Sequence, residues 1–488
     1  MILRISLYLL IACSLLSCLD ENESKGYRSS DLNRTFLKEQ NNTHPLIQGV
    51  WKSIGNGYYL EVREDSILLY SYTESFCYKE KNDYLEGLLN SQSQFELRED
   101  TLGIYLTDFG DRTQVLQTKK DFLRVDRLPE HRISFSELTK LDLELSFKLY
   151  METLQENYAF NKERDLNWAE LHSRYKDSVL TGKEALFHTM GTIATLTKDQ
   201  HTKVISEAGT SLQYRITPSA EIVKETFNEQ SDAKDLNEYF GVFFDANYKN
   251  ISDSLLRGNG QKTANDKIEW GDVTENIGYM HIHSFAGFLP KEFSRKQQID
   301  SLNVYMQHMI ESFKDKDAII IDVSFNFGGY DATALTIASY FTSYPVFSHN
   351  SQVYHNGQFY KEDEVMIYPA DSPLFTKPVY VLMTDISRSA AEGFAMMMSA
   401  LPNVHLVGTN TLGTLSGMLG KSVGTYYTTY SNQRLVNSEG DYFEVSGVEP
   451  DIQLTVFEKN DIMQSHKTAV RTLIKRMEEG KTATDTGY

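Results

Sequence analysis

The chain has 488 residues, enough for two to four domains at about 100–200 residues each. Asp and Glu number 67 against 48 Lys and Arg, a formal charge of −19, which speaks against nucleic acid as a partner and against docking on anionic lipid through a basic face. Three cysteines are too few for a disulfide scaffold or a cysteine-built zinc site, and no metal or cofactor is expected.

The N-terminus reads as a targeting segment. A short basic start, Met1 to Arg4, precedes an apolar run from Ile5 to Leu16 that is too short to span a bilayer comfortably. It ends in Leu15-Leu16-Ser17-Cys18, which resembles the lipobox of bacterial lipoproteins, where the cysteine is acylated. Residues 1–17 are therefore expected to be a lipoprotein signal peptide, with lipid on Cys18. Residues 18–45, rich in Asp, Glu, Asn, Ser and Lys and without apolar periodicity, read as a polar tether. The expected location is the bacterial cell envelope, anchored to the outer membrane by lipid alone, on its periplasmic or surface side. Loss of Cys13 with the signal would leave Cys77 without an intrachain partner.

Residues 46–130 read as β-structure. Short alternating runs such as Tyr58–Val62, Ile67–Tyr70 and Leu102–Leu106 are separated by turn residues, which predicts a small antiparallel barrel or sandwich. From 131 to 206 the period changes to 3.6, with Leu143, Phe147, Tyr150 and Leu154 on one face and further helices over 168–175 and 183–196. This helical segment closes on Asp199-Gln200-His201-Thr202. Residues 207–268 are polar and weakly patterned, and an irregular connection is expected there.

Over 269–475 strand and helix alternate. Strands are predicted at 277–283, 318–323, 379–383 and 404–408, and helices at 294–313, 332–340 and 390–401. The run Ala318–Ile321 is apolar on both faces, as a strand covered by helices on both sides must be. The order implies right-handed βαβ units and an α/β catalytic domain. Residues 476–488 form a polar tail.

Two strand ends carry the chemistry. One runs into Phe327-Gly328-Gly329, where glycine permits positive φ and turns N–H groups toward a ligand. The other runs into Ser387-Arg388-Ser389-Ala390-Ala391-Glu392 at a helix start. Taken alone, the first is a tight turn and the second an N-cap. Together they offer an oxyanion hole facing a nucleophile, the minimum for acyl transfer.

With these residues the sequence resembles the C-terminal processing (tail-specific) serine peptidases. Asp322 to Gly329 looks like their Asp-Leu-Arg-x-Asn-x-Gly-Gly signature, and Ser387 to Glu392 like their nucleophile motif, with Ser389 as nucleophile. Val407 to Ser416 and Gly447 to Ile452 match as well. The resemblance implies a crotonase-like α/β domain, and Gly328, Gly329 and Ala390 as oxyanion donors. The better-known branch pairs its serine with a lysine at a fixed spacing, and that spacing lands here on Thr414, with Lys421 further on. A serine without a base is a weak nucleophile, so another base is required.

The sequence is similar instead to the branch of the tricorn core and the interphotoreceptor retinoid-binding repeats, whose base is a histidine. That nominates His201, with Glu444, shortly before Gly447-Val448-Glu449-Pro450-Asp451, to orient it. Gln200 stands where tricorn carries a serine, and an amide cannot relay a proton. His281 and His283 are rival bases, only one of which could face the site because strand residues alternate. Asp322 is expected to be structural, and Ser324 replaces the family's arginine. Two functions follow: a serine peptidase acting outside the cytoplasm on peptides or unfolded proteins, or a catalytically silent, lipid-anchored peptide- or ligand-binding protein of the same fold.

Overall fold

A seven-stranded sheet positions the site. Its order is Gln261–Thr263, Ile268–Asp272, Ile277–Ile282, Ala318–Asp322, Val379–Met383, Val404–Gly408 and Ile452–Gln453. The first three strands pair antiparallel, and from Ile277–Ile282 onward every pairing is parallel. The computed structural model describes residues 35–39, 42–80, 93–106, 118–140, 142–230 and 232–480. Cys18, the 1–17 signal segment, most of the 18–45 tether and the end of the polar tail lie outside the described residues. Among the described residues no helix is long and apolar enough to cross a membrane.

Both faces of the sheet are buried, as the apolar strands require. Ile319 and Ile321 point into one core with the helices Arg295–Phe313, Asp331–Ala338 and Ala390–Ser399. Ala318 and Ile320 point into the opposite core. The strands and helices predicted over 269–475 are observed, with ends displaced by one or two residues.

The opposite core corrects the reading of 207–268. That segment is not irregular: it holds the helices Pro218–Gln230 and Leu236–Lys249, a π-helical turn over Asn250–Leu255 and the edge strand Gln261–Thr263. Val223, Tyr239, Phe243, Ile251 and Leu255 cover the second face of the sheet. Asp, Asn and Glu on the outer face dilute the apolar spacing, and Asn247 is buried with its amide donated to the Phe243 carbonyl (2.9 Å). The tail correction is smaller: the helix Ser465–Glu478 runs past 476.

The N-terminal strands between Gly49 and Val125 form an antiparallel sheet around Trp51, Leu60, Leu69 and Ile104. Leu37 is buried in the same core, so the end of the 18–45 segment is packed on this sheet and is not a free tether. Among the described residues no pairing closes it into a barrel. Helices Leu143–Asn157, Trp168–Tyr175 and Lys183–Leu196 share a core with Tyr78 of that sheet and with Val204, Val423 and Tyr430. These last residues belong to a four-stranded sheet that includes Lys203–Ile205, Met418–Val423 and Tyr426–Ser431, which places the turn ending in His201 beside the α/β core.

Candidate active site

The strand Val379–Met383 ends in a turn stitched to its neighbour. Thr384 Oγ1 donates to the Ser324 carbonyl (2.7 Å) and Ser387 Oγ to the Val323 carbonyl (2.8 Å). The Arg388 N–H reaches the Asn326 carbonyl (3.2 Å). Ser389 follows with φ 56° and ψ −127°, then the helix Ala390–Ser399. An ordinary N-cap is extended; a serine in this region is strained by about 1–3 kcal/mol and persists only where its surroundings enforce it. Here the enforcement is visible. The Ser389 N–H donates to Glu392 Oε2 (3.1 Å) and to the Thr414 carbonyl (3.2 Å).

The Gly-Gly turn lies against this serine. Gly328 has φ 97°, and a Cβ there would stand 2.8 Å from Ser389 Cβ and 2.8 Å from the Arg388 carbonyl oxygen. Gly329 has φ 148°, and a Cβ there would stand 2.4 Å from the Phe285 carbonyl carbon. Only glycine permits so close an approach. The Gly328 N–H is committed to Asn326 Oδ1 (2.7 Å), whose amide in turn donates to the Ile282 carbonyl. Among the described residues the Gly329 and Ala390 N–H groups make no hydrogen bond. Two unspent donors thus flank the serine, and one of them is not the glycine nearest to it.

One loop, Thr411 to Ser416, gathers the rest. Glu392 accepts Thr411 Oγ1 (2.7 Å) and the N–H groups of Gly413 (2.6 Å) and Thr414 (2.8 Å). Burial pushes its carboxyl up to about 7 despite these donors. Glu444 Oε2 accepts the N–H groups of Leu415 (2.7 Å) and Ser416 (2.9 Å), while Oε1 is buried without a partner. Burial, and then the charges of Asp199 and Glu392, raise the Glu444 carboxyl well above its usual range.

His201 is buried at the end of the helical segment. Asp199 builds its turn, accepting the His201 N–H (2.8 Å) and the Thr202 hydroxyl (2.8 Å). The His201 carbonyl accepts Thr429 Oγ1 (2.7 Å). Burial lowers the imidazole from its ordinary value, against the pull of the Asp199 charge and a backbone contact with Ser416; Lys203 and Arg388 lower it further. Nδ1 is buried and unpartnered, like Glu444 Oε1. Gln200, beside it, accepts Arg388 Nη1. The turn carrying His201 is therefore tied to the residue preceding Ser389.

The rival bases are engaged elsewhere. Lys421 Nζ donates to the Gly57 carbonyl (2.8 Å) and sits over the Tyr58 ring, on the N-terminal sheet. Burial brings it down to about 8. His281 is buried with Nδ1 3.7 Å from Asp322 Oδ2, and His283 lies 4.0 Å from the Tyr248 ring, its pKa driven by burial to about 3. Asp322 is fully occupied: Ser324 N–H (2.9 Å), His466 Nε2 (2.7 Å) and the Tyr279 hydroxyl donate to it. In the sequence Glu392 stands out only as part of a motif; its grip on the loop requires the fold. Arg388 likewise had no role there.

Residues 276–454 match the family model described as Peptidase family S41. A peptidase-like protein of Parabacteroides merdae ATCC 43184 superposes with a TM-score of 0.55 at 22% identity, over 69% of this chain and 96% of that one. Mature CPAF gives 0.49 at 13% identity, covering 72% and 99%. The photosystem II D1 C-terminal processing protease gives 0.41 at 12%, covering 67% and 98%.

Proposed function

The chain belongs to the S41 family of serine peptidases through its 276–454 domain, and on that premise we propose that it cleaves peptides or unfolded proteins with Ser389 as nucleophile and His201 as base. The observation that carries this reading is the strained Ser389 backbone, held by Glu392 and Thr414 with Gly328 packed directly on its Cβ. A capping serine needs none of that.

In the proposed reaction Ser389 Oγ attacks the scissile carbonyl while His201 takes its proton. The same imidazole then protonates the leaving amine, and water repeats the sequence on the acyl-enzyme. The N–H groups of Gly329 and Ala390 hold the oxyanion, since that of Gly328 is spent on Asn326. A low imidazole pKa keeps His201 neutral, and so able to accept a proton, at pH 7. Glu444 Oε1 and His201 Nδ1, both buried and unpartnered, are complementary, and the Ser416 backbone stands between their neighbourhoods. A shift of the Thr411–Ser416 loop that joined them would fix the tautomer that presents Nε2 to the serine. Gln200 holds Arg388 and relays no proton.

The parallel strands with helices on both faces favour a crotonase-like catalytic domain. The lipobox at Cys18 supports an enzyme lipid-anchored outside the cytoplasm. A fluorophosphonate probe tests the core of the proposal: mass spectrometry should find the label on Ser389 and nowhere else. Folded protein that stays unlabelled there would overturn it. For the anchor, Cys18→Ala should leave the membrane fraction.

A further inference from the structure

Beside the nucleophile lies a second, positively charged feature. A cleft of about 510 Å³ is lined by Gln200, Arg215, Phe240, Phe244, Phe327 and Arg388. Arg388 immediately precedes Ser389. Its guanidinium packs 4.3 Å from the Phe327 ring centre and donates to Gln200 Oε1. Neither contact neutralises it. Arg215, exposed on the cleft wall, adds a second positive charge that Arg388 feels. Among the described residues neither arginine forms an ion pair, although the chain has 19 more acidic than basic residues to offer. The neighbouring acid, Glu392, is buried and already bound to four donors.

Gln200 supplies an independent observation. It is 7% exposed, and its Nε2 is buried without a hydrogen bond. A guanidinium can only donate, so Arg388 fixes the amide with Oε1 toward itself and leaves both Nε2 hydrogens to another acceptor. A buried donor left without an acceptor destabilises the fold, so this position calls for an acceptor supplied from outside the chain.

We propose that this cleft is a carboxylate-binding subsite, in which Arg388, Arg215 and Gln200 Nε2 receive an acidic group of the substrate next to the scissile bond. A carboxylate is the matching acceptor because its two oxygens suit the planar arginine fork. It has two sources in a peptide: the side chain of Asp or Glu, or the free C-terminus. The proposal rests on Ser389 as nucleophile for its register, and Arg388 and Arg215 are specificity residues within it.

Four quenched peptides test it, identical except for Glu or Gln beside the cleaved bond and a free or amidated C-terminus. In the wild-type enzyme an acidic form should be favoured in kcat/KM by about 10- to 100-fold, the range of a charged hydrogen bond. Preference for Glu in amidated peptides assigns the site to side chains; preference for free acid over amide assigns it to the chain end. Either preference should shrink toward unity in Arg388→Gln and in Arg215→Gln, the latter being exposed and safe for folding. Equal rates on all four peptides, or a preference that survives both substitutions, would overturn the subsite. Should no peptide be cleaved and Ser389 remain unlabelled, the catalytic reading fails, and calorimetric binding of the same peptides to Ser389→Ala decides the subsite alone. Tighter binding of the acidic forms, lost in Ser389→Ala/Arg215→Gln, keeps it; equal binding removes it.

Discussion

Two buried acidic groups, Asp322 at the end of the strand Ala318–Asp322 and Glu444 against the Thr411–Ser416 loop, are wired in opposite ways. Asp322 closes its strand with both oxygens filled, by Ser324, His466 and Tyr279. Burial opposes its charge, yet His466 and His281, by charge and by hydrogen bonding, hold its carboxyl well below the usual range. Glu444 has one oxygen filled and one empty, and burial with two like charges pushes its carboxyl up. Beside it His201 has an empty Nδ1, and Gln200 an empty Nε2. A closed carboxylate network holds a fold together; an open one, next to a strained serine, retains capacity for a reacting partner. Histidines near a carboxylate occur in both centres, so their presence alone does not discriminate.

The sharpest break between the two centres is His201→Ala. Removing a general base costs about 100- to 10,000-fold in kcat, and the proposed mechanism expects a loss in that range with folding intact. Lys421→Met is the contrasting variant. Its lost contact to Gly57 should lower stability by about 1–3 kcal/mol in a urea titration, with kcat per folded molecule little changed. A dead Lys421→Met beside an active His201→Ala would restore the lysine dyad.

Glu444→Gln and Asp322→Asn compare the centres directly. The first keeps an acceptor for Leu415 and Ser416 but removes the carboxylate available to the imidazole, and kcat should fall at least about tenfold at unchanged stability. The second breaks a buried ion pair with His466 and should cost about 3 kcal/mol or more of folding free energy. Activity per folded molecule should persist. The sign follows from the shift: a depressed Asp322 pKa gives stability that is present above about pH 3.9 and lost as pH falls toward the folded value. Exchanged outcomes would mean that the Asp322 cluster is the working site.

Much of the site was legible because its residues cluster in sequence at strand ends. Strand–turn–helix punctuation marked Ser389 and Gly328-Gly329, and the apolar runs marked the parallel sheet. The loop from Thr411 to Ser416 was not legible as a hub, since its partners Glu392 and Glu444 reach it through tertiary folding. The helices of 218–249 were missed because their apolar residues read as scattered until the sheet face they cover is known. The commitment of the Gly328 N–H to Asn326 depends on turn geometry that no residue spacing encodes.

The smallest expected effect tests which of these groups titrates in catalysis. His201 must be neutral to accept a proton, and burial lowers its pKa, so the acid limb of kcat/KM should lie below pH 6.5. Asp199 opposes that shift with its charge, while Lys203 and Arg388 add to it. Asp199→Asn keeps an acceptor for the His201 N–H and removes the charge, so the limb should move further toward acid. Asp199 also pushes Glu444 up, so loss of its charge would lower a limb set by that carboxyl as well. Repeating the substitution in Glu444→Gln separates the two, because only the imidazole is left to titrate. If the limb still moves to lower pH, His201 is the group; if it stays where it was, the charge of Asp199 does not act on the base, and His201 is not that base.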